Sequence, residues 1–240
     1  CIYKQDNDTC KSLLSECIES AKEFNYNVIP YLGVYGNDID PLVDKENITV
    51  CKDLLHKVQS KGVMGCFLSH YFLWKKCVDL NVPIGVLEYD AAFLNALPNN
   101  ILDSFEDYCN LDINRHRYFK KGKDVYSNKL NKTNNIVVTQ LKENLLTKEN
   151  NLFEYVNKNH ISGAHGYIIK PTGANKLINF TKIYGMMPAD IHINLKACKM
   201  HYTSESIVYL HSATSFRAKF SHTKNNGLTF KKTYIFSTLG

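Results

Sequence analysis

The residues best suited to chemistry in this chain sit in Val86-Leu87-Glu88-Tyr89-Asp90. An apolar run from Pro83 to Leu87 ends abruptly in two carboxylates spaced one residue apart. In an extended backbone alternate side chains share a face, so Glu88 and Asp90 are expected on one side and Tyr89 on the other. Two carboxylates at the mouth of a buried strand suit a hard divalent cation, Mn2+ or Mg2+. Such ions take oxygen ligands and are commonly held by one or two carboxylates together with substrate phosphates. That arrangement serves transfer from a nucleotide sugar. The same residues also suit a strand that ends in solvated acids.

Sugar transfer sets three tasks: the leaving diphosphate must be neutralised, the acceptor hydroxyl must lose a proton, and both must be aligned at the anomeric carbon. Asp90, with Glu88, is the candidate for the first task through a metal. His211 follows the apolar run Ile207 to Leu210 and is a candidate further ligand, with a surface histidine in a turn as the alternative. Arg217 and Lys219 are placed to meet phosphate oxygens, or are simply exposed cations. Tyr89 either stacks on the nucleotide base or fills the core.

Other blocks surround this stretch. Upstream runs Gly62-Val63-Met64-Gly65-Cys66-Phe67-Leu68-Ser69-His70, then Leu73-Trp74. Downstream runs Ser162-Gly163-Ala164-His165-Gly166-Tyr167-Ile168-Ile169-Lys170-Pro171-Thr172-Gly173-Ala174, then Met187-Pro188-Ala189-Asp190. In that order, from about Gly62 to Asp190, the blocks resemble glycosyltransferase family 25, which contains lipopolysaccharide-type transferases and procollagen galactosyltransferases. Tyr89 departs from the resemblance, standing where the family usually has an aspartate. The resemblance implies a single GT-A-like, Rossmann-type α/β domain over 1–240 with a mixed, mostly parallel sheet. It implies a UDP-sugar donor, with galactose the commonest sugar, and inversion at the anomeric carbon. It makes Ser69 and His70 walls of the donor site, and Asp190 the general base, with helix capping the alternative role. Gly163, Gly166 and Tyr167 become the stretch where backbone approaches the acceptor sugar, with His165 beside them as a further proton acceptor. A tight packed turn would need the same glycines.

A chain of 240 residues with a 44% hydrophobic fraction supports one substantial α/β domain. No apolar run approaches the ~20 residues that span a bilayer, and the start of the chain carries no signal-peptide pattern. The 8 cysteines include no close pair of the zinc-binding kind. They are expected to be reduced and buried in a cytoplasmic protein, or a lumenal one if a targeting segment was trimmed. Four glycosylation sequons, at Asn7, Asn47, Asn131 and Asn179, point the other way.

The net charge of +6 is uneven. Seven basic residues and one acid fall between Arg115 and Lys132, and five basic residues and no acid follow Glu205. Such clusters suit anionic partners: a diphosphate, a phosphorylated glycan or nucleic acid. The resemblance favours a glycan or a lipid-linked saccharide as acceptor, with a hydroxylated protein side chain also open, and the two basic clusters would suit a modified base in DNA as a variant of the same chemistry. A non-catalytic glycan- or nucleotide-binding protein on the same fold is the alternative that Tyr89 supports. A phosphate-ester hydrolase is disfavoured, since a two-metal site needs a denser His/Asp cluster.

The elements that must position these residues follow from periodicity. Helical spacing is expected over 9–25 and 63–80, with His70 and Trp74 on the apolar stripe of the second. Strands are expected at Tyr26 to Leu32, up to Glu88, at Ile136 to Val138, at Ala164 to Lys170 and at Ser206 to Leu210. Pro171 opens a helix. Short helices are expected at Ile101 to Cys109 and Asp190 to Cys198, a longer polar one over 141–157, and a mobile Lys/Asn-rich loop over 120–135. The basic segment 211–240 has no assignment after Gly227.

Overall fold

The computed structural model describes residues 8–112, 132–143, 152–210 and 233–237. The first helical pattern folds as α1 (Asp8–Lys22), which buries Leu13, Cys17 and Ala21 at one-turn intervals. β1 (Asn27–Tyr31) follows, then α2 (Ile39–Glu46) and the single turn α3 (Leu55–Val58). α4 (Lys61–Leu80) starts where Ser60 Oγ accepts the Val63 amide and ends at Asn81 in a left-handed conformation. The remaining order is β2 (Ile84–Glu88), β3 (Ala91–Phe93), β4 (Tyr108–Asn110), β5 (Val138–Gln140), α5 (Leu152–Lys158), β6 (Gly166–Ile169), α6 (Pro171–Tyr184), α7 (Ala189–His192), β7 (Met200–Thr203), β8 (Val208–Leu210) and β9 (Thr233–Ser237). No helix among the described residues is long and apolar enough to cross a membrane.

The main sheet has seven strands in the order β1-β9-β2-β6-β4-β7-β5, and β3 pairs with β8 apart from it. The expected α/β fold with a mixed sheet is present, but the expectation of mostly parallel pairing is corrected. Among the described residues only β4 and β7 pair parallel, and every other neighbouring pair is antiparallel. The reason lies in the strand order. β1, β2, β4 and β7 all run in one direction, but β9 and β6 run against them and sit between β1, β2 and β4. The carboxyl ends of four strands therefore share one edge of the sheet, with the amino end of β6 among them.

Both faces of β2 are covered. Ile84 and Val86 join a cluster with Phe67, Leu68 and Trp74 of α4 and Leu177 of α6. Leu87 joins a second cluster with Leu13 and Cys17 of α1. A strand buried on both sides has no polar alternation, which explains the continuous apolar run before Glu88.

Several expected elements differ. Ile101 to Cys109 is not one helix: a 3-10 turn at Ile101–Asp103 gives way to β4, whose backbone is taken up by β6 and β7. The expected helix from Asp190 to Cys198 is the one-turn α7. It stops because the Asn194 amide donates to the Ile191 and His192 carbonyls while Asn194 Oδ1 accepts the Lys196 and Ala197 amides, a local network that competes with helix. Within 141–157 only α5 is helical among the described residues, and the strand expected at Ile136 is shifted to β5. Residues 132–135 carry no regular structure, and the rest of the expected Lys/Asn-rich loop lies outside the described residues.

Candidate active site

β1, β2, β4 and β7 all end at one edge of the sheet, with the amino end of β6 among them. That edge collects Glu88 at the end of β2, Asp112 just past β4 and His165 just before β6. The backbone holds them together: the Glu88 amide donates to the His165 carbonyl at 2.8 Å, and the Leu111 amide to the Gly166 carbonyl at 3.0 Å.

Glu88 is 1% exposed and faces α4. His70, fully buried on α4, places Nε2 3.5 Å from Glu88 Oε1 and Nδ1 2.8 Å from Tyr167 Oη. Trp74 Nε1–H donates to the same phenol oxygen at 3.0 Å. Burial holds the Tyr167 phenol well above its ordinary pKa, so it keeps its proton. The indole can only donate, so the phenol proton is free to point at His70 Nδ1. The imidazole proton then sits on Nε2, facing Glu88. Cys66, one turn before His70, places Sγ 3.9 Å from Glu88 Oε1. One ligand atom each from Cys66, His70 and Glu88 lies within 4.8 Å of the other two, close enough to share one ion.

The strand stops at Glu88, and Tyr89 and Asp90 form a turn. The alternation expected of an extended chain therefore separates Glu88 from Tyr89 but does not carry on to Asp90. Tyr89 is 1% exposed and packs in the cluster with α1, on the opposite side of β2 from His70. Asp90 bears on α1: burial first, then the Asp90 charge, pushes the Cys17 thiol up to about 12. Asp90 is not part of the group formed by Cys66, His70 and Glu88.

His165 is 1% exposed, and its Nε2 lies 2.7 Å from Asp112 Oδ2. Ser206 Oγ donates to Asp112 Oδ1 at 2.6 Å. His165 Nδ1 is buried with no hydrogen-bond partner. Asp112 is a candidate site residue that sequence reasoning missed. Its signal was present, since Tyr108-Cys109-Asn110-Leu111-Asp112 repeats the logic of a buried run ending in an acid.

Ser69 is committed to structure: its hydroxyl donates to the Gly65 carbonyl at 2.7 Å and accepts the Val34 amide at 2.9 Å. A side chain at Gly65 would meet the Val34 carbonyl at 2.5 Å, so this glycine lets the loop after β1 lie directly on α4. The space at Gly166 is filled by Val208, only 2.2 Å from where a Cβ would stand. Gly163 takes φ +87°, and its amide donates to Asp190 Oδ2 at 3.4 Å. Asp190 Oδ1 accepts the Ile191 amide at 3.1 Å. Near it His160 donates Nδ1–H to the Val156 carbonyl at 2.8 Å, which leaves Nε2 to accept from Ser162 Oγ at 3.3 Å. Burial lowers the His160 pKa, and the Asp190 charge opposes that shift. His211, Arg217 and most of both basic clusters lie outside the described residues.

No curated protein matches the chain. A model of glycosyltransferase family 25 (LPS biosynthesis protein) matches residues 19–193, well over half of the chain. That span takes in α4, the end of β2, Asp112, His165 and Asp190. The shared strand edge and the family match lead to one conclusion: the chain belongs to glycosyltransferase family 25 and is a glycosyltransferase.

Proposed function

We propose that the protein moves a hexose from a UDP-sugar to a hydroxyl of a glycan or lipid-linked saccharide, with inversion, on a fold of the GT-A type. The observation that carries this reading is the convergence of Glu88, His165 and Asp112 at the carboxyl edge of β2 and β4 in a family 25 chain. A buried, charged edge of this kind favours a polar substrate whose own charge changes during reaction.

Hard cations prefer oxygen ligands. Glu88 is accompanied by a thiol and an imidazole, which does not fit Mn2+ or Mg2+. Asp90 does fit: it is 9% exposed in the turn beyond β2, and one carboxylate plus the donor diphosphate is a common Mg2+ arrangement. Asp90 would hold the cation, with His211 as a further ligand and Arg217 on the phosphates. The cation would neutralise charge on the departing diphosphate. Asp190 takes the acceptor proton, and its bond from Gly163 positions both for the acceptor.

Cys17, Cys51, Cys66, Cys77, Cys109 and Cys198 are free, and all but Cys66 are buried, which supports a reducing, cytoplasmic setting. Nothing among the described residues favours DNA as acceptor, since the charge that motivated it lies mostly elsewhere in the chain. Tyr89, which motivated a non-catalytic reading, belongs to the core. The test is an assay of UDP release over a panel of UDP-hexoses with saccharide acceptors, run with Mn2+ and with EDTA. Acceptor-dependent release that EDTA abolishes supports the proposal. No release from any UDP-hexose overturns it.

A further inference from the structure

Glu88 is held among donors of a different kind from those of a nucleotide-sugar cation site. Cys66 and His70 stand four residues apart on α4, so their side chains project from one face of the helix. Glu88 reaches the same point from β2, at 3.9 Å from Cys66 Sγ and 3.5 Å from His70 Nε2. A thiolate, an imidazole and a carboxylate are the donor types of zinc. Spacings of this size need only a small inward shift to meet an ion bound at ~2.0–2.3 Å from each ligand.

A second observation comes from behind the histidine. Histidines that bind metal usually have the other ring nitrogen fixed by a hydrogen-bonding partner. His70 Nδ1 is fixed at 2.8 Å by Tyr167 Oη, itself fixed by Trp74 Nε1. The phenol oxygen has two lone pairs, so it can accept both the indole N–H and an Nδ1–H. We propose that Cys66, His70 and Glu88 form a zinc site in the wall of the strand edge, with Tyr167 and Trp74 as its supports.

Binding has a defined proton balance. The Cys66 thiol gives its proton to solvent and ligates as thiolate. The imidazole proton moves from Nε2 to Nδ1, where it is donated to Tyr167 Oη, and the phenol proton turns away. His70 and Glu88 are buried, whereas Cys66 is half-exposed. The ion therefore enters past Cys66, and its fourth position is left to solvent on that side. Three protein ligands with one open position are the pattern of zinc that binds substrate. The site is separate from the harder cation proposed at Asp90.

The experiment is cobalt titration of the purified chain, followed by zinc displacement. Co2+ bound by a thiolate gives a sulfur-to-cobalt charge-transfer band. The wild-type chain should show that band, saturating at one equivalent and lost on adding Zn2+ but not Mn2+. Cys66→Ser, which is nearly isosteric and half-exposed, should abolish it. Tyr167→Phe should keep the band and weaken Co2+ binding about 10–100-fold, the loss typical of removing a support behind a ligand. No band in the wild-type chain, or a band that persists in Cys66→Ser, overturns the proposal. The readout is metal binding alone, so it stands apart from any result on sugar transfer.

Discussion

His165 Nε2 lies 2.7 Å from Asp112 Oδ2, joining the loop before β6 to the end of β4 across 53 residues of sequence. Both side chains are buried, and Ser206 Oγ donates to the same carboxylate at 2.6 Å. Removing Asp112 therefore takes a hydrogen-bond partner from two buried groups. Asp112→Ala should lower stability by about 3 kcal/mol, since hydrogen bonds to a charged group are each worth about 1.5–3 kcal/mol. Denaturant unfolding measures it. A loss below about 0.5 kcal/mol would mean that the pair contributes nothing.

Tyr89 is packed against α1 rather than aimed at the strand edge. Tyr89→Asp places a carboxylate in the core and leaves a void, and should cost at least about 3 kcal/mol. Tyr89→Phe keeps the volume and should cost about 1 kcal/mol. Equal stability of Tyr89→Asp and wild type would place the ring outside the core.

His192 stands among Phe67, Trp74 and Phe180, and burial lowers its pKa to about 4 from 6.5. The unfolded chain therefore binds more protons between those values, so stability falls as pH drops from 6.5 towards 4. Burial lowers His160 and His201 in the same direction. The melting temperature should decline over that window, and His192→Gln should make the decline shallower. A profile in which the variant loses as much stability as wild type over that window would remove His192 from the effect.

Asp190 separates two roles. If it takes the acceptor proton, Asp190→Asn should cut the turnover rate about 10²–10⁴-fold with donor affinity unchanged. If it only receives the Gly163 and Ile191 amides, asparagine can still accept one of them, and the change should cost about 1 kcal/mol or less of stability. Calorimetric donor binding, transfer rate and melting temperature on this one variant distinguish the roles.

How much of this was legible depends on how local each signal is. α1, α4, β2 and α6 could be read because each buries a stripe or run of its own residues, and the pattern of burial is written in consecutive positions. β9 could not: Thr233–Ser237 becomes a strand only by lying between β1 and β2, roughly 200 and 150 residues away respectively. The expectation of a mostly parallel sheet failed for the same reason, since β9 and β6 insert between strands that run one way. Glu88 is legible as a site residue, and His70 as part of a helical stripe and, by the resemblance, as a wall of the donor site, but nothing in the local pattern links Cys66 and His70 to β2. Asp112 was missed because its partner His165 is fixed only by the pairing of β4 with β6. Asp90 was paired with Glu88 by an alternation that ends where the turn begins.

The most direct test of the central claim is to follow wild-type protein with UDP-galactose, Mn2+ and a saccharide acceptor by NMR. Sugar transfer with inversion predicts free UDP appearing in step with a new β-linked galactose on the acceptor, and Asp90→Asn should slow both by orders of magnitude. A spectrum in which neither UDP nor a glycosidic product forms, for this donor and for the other UDP-hexoses, would contradict it.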